Sequence, residues 1–89
     1  MLTRTATSLA TMVDTMKASA ESSRLRILLL LARGDLTVTD LTEILAQSQP
    51  RVSRHLKLLM EAQLVERYQE GSWAFFRLSD EESARDFVN

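Results

Sequence analysis

Three permanent cations, a glutamine and the only histidine of the chain fall within the segment SQPRVSRHLKLL, residues 48–59. An arginine side chain can bond guanine O6 and N7 together, and glutamine can do the same to adenine. Lysine is a compact point charge that suits a phosphate contact. Such side chains read DNA in its major groove when one helix presents them on its outward side.

The same segment predicts a helix over about residues 49–62 with two different sides. Pro50 is tolerated near its start because first-turn amides have no helical partner. At about 100° per residue, the apolar residues form one buried side; these are Val52, Leu56, Leu59 and Met60. The outward side holds Pro50, Arg51, Arg54 and Lys57.

A second, shorter helix is predicted just before the cationic one. In LTVTDLTEILAQ, Thr37 and Asp40 have the spacing of a capping box. Its apolar face would comprise Leu41, Ile44 and Leu45. A break near residues 46–48 separates the two helices, which is typical of a helix-turn-helix. Upstream, ESSRLRILLLLARG predicts a buried central helix with Ser22 as N-cap, Arg33 in the last turn and Gly34 at the C′ position.

A β-hairpin is predicted after the helix-turn-helix, at about residues 64–78. LVERYQE and WAFFRLS flank Gly71-Ser72, a two-residue turn of the type II′ pattern. The register then pairs Val65 with Leu78, and Glu66 with Arg77. Tyr68, Trp73 and Phe75 form an aromatic cluster for which cross-strand packing is favoured over stacking on bases.

Both ends of the chain have weaker helical patterns. A first helix over about residues 8–19 has an apolar stripe, made of Leu9, Met12, Val13, Met16 and Ala20. A short fifth helix begins at Asp80 and includes Phe87. The predicted fold is mainly α with a small β-hairpin, a winged helix-turn-helix of order α-α-α-α-β-β-α. No repeat or linker divides residues 1–89, so we expect a single domain.

The composition excludes several classes of protein. The 89 residues include no cysteine, which removes disulfides and thiolate metal ligands and favours a cytoplasmic setting. The apolar run ILLLLA is far shorter than the roughly 20 residues of a membrane span. The formal net charge is −1, but residues 48–78 carry five Lys/Arg and three acids. Local potential governs how a surface meets phosphate, so the overall acidity does not exclude DNA.

Catalysis and metal binding have no candidate arrangement. Ser53 and His55 are two apart on a helix and point to different sides, so they cannot act as nucleophile and base. His55 lies at the border of the buried side, where packing or hydrogen bonding is more common than metal ligation. We therefore predict neither an enzyme nor a cofactor.

Residues 22–78, and especially SQPRVSRHLKLL and EGSWAFFRL, resemble the arsenic-repressor (ArsR/SmtB) family of bacterial winged-helix regulators. The resemblance implies a homodimer joined by its first and last helices, which binds a palindromic operator and usually represses. The implied dimer residues are Leu9, Met12, Val13, Met16 and Phe87. The apolar stripe also favours dimerisation, because a chain this small cannot bury it within itself.

Three features depart from the family pattern. Many members sense soft metals through Cys-x-Cys, where this chain has Thr37 and Thr39, whose hydroxyls are poor ligands for such ions. The C-terminal segment has no histidine for a zinc site of the kind that other members use. Gln63 stands where the family usually has glycine, at a cost of about 1 kcal/mol if its backbone is left-handed.

The sequence thus predicts a DNA-binding transcriptional regulator, a homodimeric repressor, of unknown effector. The predicted DNA-contacting residues are Ser48, Gln49, Pro50, Arg51, Ser53, Arg54, Lys57, Arg67 and Ser72. Gln49, Arg51, Ser53 and Arg54 are assigned to bases, and Lys57 with Arg67 to phosphates. Two alternatives remain open: a winged helix that binds a protein through its aromatic wing, and the N-terminal regulatory domain of a longer methyltransferase.

Overall fold

The computed structural model describes Lys17 and residues 20–79. Apart from Lys17, which is helical, the helix predicted over residues 8–19 lies outside the described residues. The helix predicted from Asp80 also lies outside them. The same is true of the predicted dimer residues Leu9, Met12, Val13, Met16 and Phe87. The prediction of one domain over residues 1–89 therefore stays a prediction.

The first described helix, α1, comprises residues 20–31. Ile27, Leu28 and Leu31 are buried, whereas Leu29 is 47% exposed. The helix, which was predicted to be buried, is therefore amphipathic. The prediction of Ser22 as N-cap is wrong, because the chain is already helical at Ala20. The helix ends in a tighter turn, where the Arg33 N–H donates to the Leu30 carbonyl at 3.0 Å.

The helix-turn-helix begins with the predicted capping box. α2 spans Val38–Leu45 with Thr37 as its N-cap. Thr37 Oγ1 accepts a hydrogen bond from the Asp40 N–H at 3.1 Å, and Asp40 Oδ2 accepts one from the Thr37 N–H at 3.0 Å. Two N–H groups that have no helical partner are thereby satisfied, which fixes where the helix starts.

The second helix of the pair, α3, spans Gln49–Glu61 and matches the predicted bounds within one residue. The Ser48 side chain caps its first turn by accepting from the Arg51 N–H, and Pro50 occupies the first turn as predicted. Between the helices, Ala46 adopts a left-handed conformation with φ 55° and ψ 41°. This left-handed residue ends α2 and turns the chain. Two further residues then lead to the start of α3.

The wing consists of β2, Val65–Glu70, and β3, Trp73–Leu78. Their register is the predicted one, with Val65 opposite Leu78 and Glu66 opposite Arg77. Gly71 has φ 61° and Ser72 is not among the residues with positive φ, as a type II′ turn requires.

A third strand was not predicted. β1 comprises only Leu36–Thr37 and pairs antiparallel with β3, which gives the sheet order β1-β3-β2. Because Thr37 is both the last residue of β1 and the N-cap of α2, the strand joins the start of the helix-turn-helix to the wing.

The core lies where the three helices meet the inner face of the wing. Its buried residues are Ile27, Leu28, Leu31, Leu41, Leu45, Val52, Leu56, Leu59, Val65 and Phe76. Every described element except β1 contributes at least one of them, and Leu36 of β1 packs against the cluster. Burial of one such aliphatic side chain is worth roughly 1.5–3 kcal/mol, so the cluster fixes the relative orientation of the helices.

The turn after α3 has the hydrogen bonds of a Schellman motif with glutamine at the left-handed position. Gln63 has φ 61°. Its N–H donates to the Met60 carbonyl, and the Leu64 N–H donates to the Leu59 carbonyl, both at 3.0 Å. Ser79 Oγ donates to the Gln63 carbonyl at 2.7 Å and ties this turn to the end of β3. Glycine is favoured at this position because it has no Cβ to clash.

Gln63→Gly is therefore expected to stabilise the protein. The side chain is exposed, so little packing is lost, while relief of the left-handed strain is worth about 1 kcal/mol. Urea unfolding followed by circular dichroism at fixed protein concentration should show a higher midpoint.

Ala62→Gly is the matched control, because Ala62 is also exposed but has φ −80°. At this φ glycine relieves no backbone strain. It should lower the unfolding midpoint, because glycine gives the unfolded chain more conformational freedom. Equal effects of the two substitutions would contradict this account of the turn.

Candidate nucleic-acid interface

The side chains predicted to contact DNA all lie at the surface. The exposed residues are Ser48, Gln49, Pro50, Arg51, Ser53, Arg54, Lys57, Arg67 and Ser72. Seven of them belong to α3 or its N-cap, and the other two lie on the wing. Val52, Leu56 and Leu59 are buried as predicted, so the core holds the opposite side of α3 inward.

The cations of this surface are not neutralised within the described part of the chain. The one ion pair among these residues joins Arg77 Nε to Glu66 Oε1 at 2.6 Å, on the wing. Arg51, Arg54 and Lys57 form no salt bridge with any described carboxylate. Unpaired guanidinium and ammonium groups on one helix can bind phosphate and base edges without first breaking an internal contact.

A cleft beside α3 brings some of the predicted residues together with residues that the sequence analysis missed. It has a volume of about 610 Å³. Pro50, Arg51 and Arg54 line it from α3 and Ser48 from its N-cap. Ser23, Arg24 and Gln47 line it from α1 and from the turn between α2 and α3. The other five predicted residues do not line this cleft: Gln49, Ser53, Lys57, Arg67 and Ser72.

Gln47 connects the turn of the helix-turn-helix to α1. Its Nε2 donates to Ser23 Oγ at 2.6 Å, and Ser23 is buried. The residues lie 24 apart in sequence, so no local pattern predicts the contact. The bond ties the turn that precedes α3 to α1, at the edge of the cleft.

His55 is buried, 5% exposed, and its Nδ1 has no hydrogen-bond partner. Helical spacing predicted His55 at the border of the buried side, whereas in the structure it lies inside. Burial lowers the pKa of His55 below its usual 6.5, and the positive charges of Arg24, Arg51 and Arg54 lower that pKa further. The imidazole is therefore neutral at neutral pH.

The wing carries an aromatic pair on its outer face. The rings of Tyr68 and Phe75 stack with centroids 5.6 Å apart, and the Arg77 guanidinium lies 4.7 Å from the centre of the Tyr68 ring. Tyr68 Oη donates to Asp35 Oδ2 at 2.6 Å, a hydrogen bond that raises the pKa of the phenol. Trp73 stands apart from this pair, 60% exposed, so the predicted three-residue cluster is a pair.

The described residues contain no group of three or more His, Cys, Asp or Glu side chains able to hold a metal ion. Thr37, at one position of the cysteine pair in many metal-sensing relatives, is occupied by its capping hydrogen bond. None of the helices in the described part is both long and apolar enough to cross a membrane.

Residues 21–67, more than half of the chain, match the sequence model of the family described as "Bacterial regulatory protein, arsR family". The chain belongs to the ArsR family. An arsenical resistance operon repressor of Escherichia coli is 46% identical over 68 residues, which cover 75% of this chain and 58% of that protein. The corresponding repressor of Bacillus subtilis is 43% identical over 67 residues, covering 74% of this chain and 64% of that protein.

A solved structure of HlyU from Vibrio cholerae also matches this ArsR-family chain. It is 33% identical with a TM-score of 0.71, and the match covers 89% of this chain and 85% of HlyU. The winged helix-turn-helix fold and the family resemblance are thus confirmed. The family consists of transcription regulators and not of enzymes, as predicted. The chain spans only about three fifths of the two repressors described above.

The stability of this ArsR-family protein should fall as the pH drops below the usual pKa of His55. The pKa of His55 is lowered in the folded state, so below about pH 6.5 the unfolded chain binds a proton at His55 more readily than the folded chain does. The contribution of His55 is complete above about pH 6.5 and is lost as the pH falls through the interval down to the folded-state pKa. Urea midpoints measured at about pH 7.5 and 5.5 test this.

His55→Gln is the control, since glutamine does not titrate, and its midpoint should change less over the same pH range. Titration of the imidazole of the unmodified protein by NMR gives the pKa without a variant. A pKa of 6.5 or above would contradict the burial and charge argument.

Proposed function

We propose that this chain is the DNA-reading domain of a homodimeric ArsR-family transcriptional repressor, which binds a palindromic operator through α3 and the wing. The supporting observation is the cationic side of α3, which pairs with no carboxylate of the described residues and is held outward by the burial of Val52, Leu56 and Leu59. This helix follows α2 across a short turn, which is the arrangement that places a recognition helix in the major groove.

The first turns of α3 carry the side chains proposed to read bases. Gln49, Arg51, Ser53 and Arg54 lie in those turns, and N-terminal residues are the ones that reach base edges. Lys57 lies one turn further along and Arg67 lies on β2, and we assign both to phosphates. Ser48, Pro50 and Ser72 complete the proposed interface.

The proposed homodimer would use residues outside the described part of the chain, Leu9, Met12, Val13, Met16 and Phe87. Within α1, Leu25 and Leu29 are 45% and 47% exposed and lie four residues apart on one side. Exposed apolar side chains of this kind are consistent with coverage by a second subunit. A single domain over residues 1–89 and a cytoplasmic location belong to the same proposal.

Arg54→Ala and Lys57→Ala should weaken DNA binding in different ways. Arg54→Ala is expected to cost about 1–3 kcal/mol on an operator duplex and to relax the preference for one base pair. Lys57→Ala should weaken operator and random duplexes alike, and lower the slope of log affinity against log salt by about 1. Fluorescence anisotropy with duplexes from the upstream region of the gene and with random duplexes, at two salt concentrations, measures both effects.

Arg33→Ala is the charge-matched control, because Arg33 is exposed but lies outside α3 and the wing. It should change the affinity for either duplex little. Equal losses on operator and random DNA for both α3 variants would refute the division of roles. Weak or salt-insensitive binding by the unmodified protein would refute DNA binding itself.

The exposed Trp73 favours a second candidate function, in which the wing contacts a protein partner. Its side chain is 60% exposed beside the turn at Gly71-Ser72, and aromatic residues are enriched in protein interfaces. If the wing instead lies on DNA, this tryptophan lies close to the duplex.

Trp73 is the only tryptophan of the chain, so its emission reports on the wing alone. We expect titration with an operator duplex to quench or shift this emission at the same concentrations at which anisotropy shows binding. Unchanged emission on a bound duplex would place the wing away from DNA and support the protein-partner function.

A further inference from the structure

The cleft between α1 and the first turns of α3 has the charge of an anion site. Arg24 lines it from α1, and Arg51 and Arg54 line it from α3. The described residues that line it include no carboxylate. The positive end of the 13-residue helix α3 also borders the cleft.

Two residues that line the cleft each carry one buried polar atom with no partner within the described part of the chain. The atoms are His55 Nδ1 and Gln47 Oε1. Buried polar atoms are nearly always hydrogen-bonded, so unpaired ones call for an explanation such as a ligand. Gln47 Oε1 is an acceptor only, and a ligand that satisfies it must carry an O–H or N–H donor.

The size of the cleft favours an organic ligand over a bare ion. Its volume of about 610 Å³ lies within the roughly 300–1,000 Å³ typical of small-molecule sites. Pro50 and Leu58 add apolar surface to the lining, and Leu58 is 43% exposed. A bare phosphate ion would leave most of this volume and surface without contact.

We propose that this cleft binds a small hydroxylated organic anion, of the class of sugar phosphates and sugar acids, and that the bound anion weakens DNA binding. The anionic group bonds the guanidinium groups of Arg24, Arg51 and Arg54, a geometry that suits both phosphate and carboxylate. A ligand hydroxyl donates to Gln47 Oε1, and His55 Nδ1 completes the polar contacts.

The effect on DNA rests on the proposed function, because Arg51 and Arg54 are also the proposed base readers. A guanidinium bonded to the cleft anion is not available to a guanine edge. The bound anion therefore lowers the affinity for operator, and bound operator lowers the affinity for the anion by the same factor. A regulator of this kind would be released from DNA by the anion, without any metal or thiol chemistry.

Binding is tested on the full chain without DNA, through the NMR signals of the single histidine. The probes are glucose 6-phosphate, gluconate, inorganic phosphate and glucose at constant ionic strength and pH. We expect a saturable shift of the His55 signals with glucose 6-phosphate or gluconate, a weaker response to inorganic phosphate and none to glucose. No saturable shift with either organic anion, or an equal response to glucose or to inorganic phosphate, overturns the proposal.

Arg24→Gln and Arg26→Gln form a matched pair, since both remove one positive charge from α1 but only Arg24 lines the cleft. Arg24→Gln should weaken binding of the responding probe about tenfold, and Arg26→Gln should leave it nearly unchanged. Equal losses would show a general charge effect and overturn the cleft as the site.

Competition is measured by operator anisotropy with and without the probe that shifts His55. Saturating probe should raise the Kd for operator by about tenfold, within the usual range of coupling between sites. If operator binding is unaffected, or if Arg24→Gln without probe weakens it far more than Arg26→Gln, the cleft is not a regulatory site. Probe binding without any operator binding would refute the proposed function and leave the cleft assignment intact.

Discussion

The burial of one side of α3 is the constraint on which the candidate interface depends. Val52 and Leu56 are 0% and 1% exposed, and rotation of the helix about its axis would expose them, at a cost of roughly 1.5–3 kcal/mol for each. Because the apolar side is fixed, Arg51, Arg54 and Lys57 have no alternative to the surface. The positive charge of α3 is thereby concentrated on one outward face, in a chain whose net charge is −1.

The elements around α3 restrict its remaining freedom. The capping box at Thr37 fixes the start of α2, and the hydrogen bond from Gln47 to Ser23 fixes the turn that follows it. The turn at Gln63, bonded to Ser79, fixes the other end of α3 relative to the wing. A position that favours glycine is thus occupied by a strained glutamine at the junction of the two structural units that are proposed to contact DNA.

Much of this fold could be predicted from local sequence patterns. Side-chain spacing predicted the capping box, α3 and its buried side, and the two-residue turn at Gly71 predicted the register of the wing. Contacts between distant segments could not be predicted in this way. β1 is only two residues long, Gln47 meets a residue 24 positions away, and Arg24 joins the cleft only because α1 packs beside α3. Ser22 failed as a cap because the helix continues through it.

Methylation interference on the upstream region of the gene tests the central claim most directly. Arginines of α3 that read guanine in the major groove need its N7 unmodified. Methylation at N7 should therefore block binding at guanines in two symmetric half-sites, with centres about 10–10.5 bp or a multiple of this apart. Interference confined to adenine N3 in the minor groove, or binding indifferent to methylation, would contradict the assignment of the cationic side of α3 to base recognition.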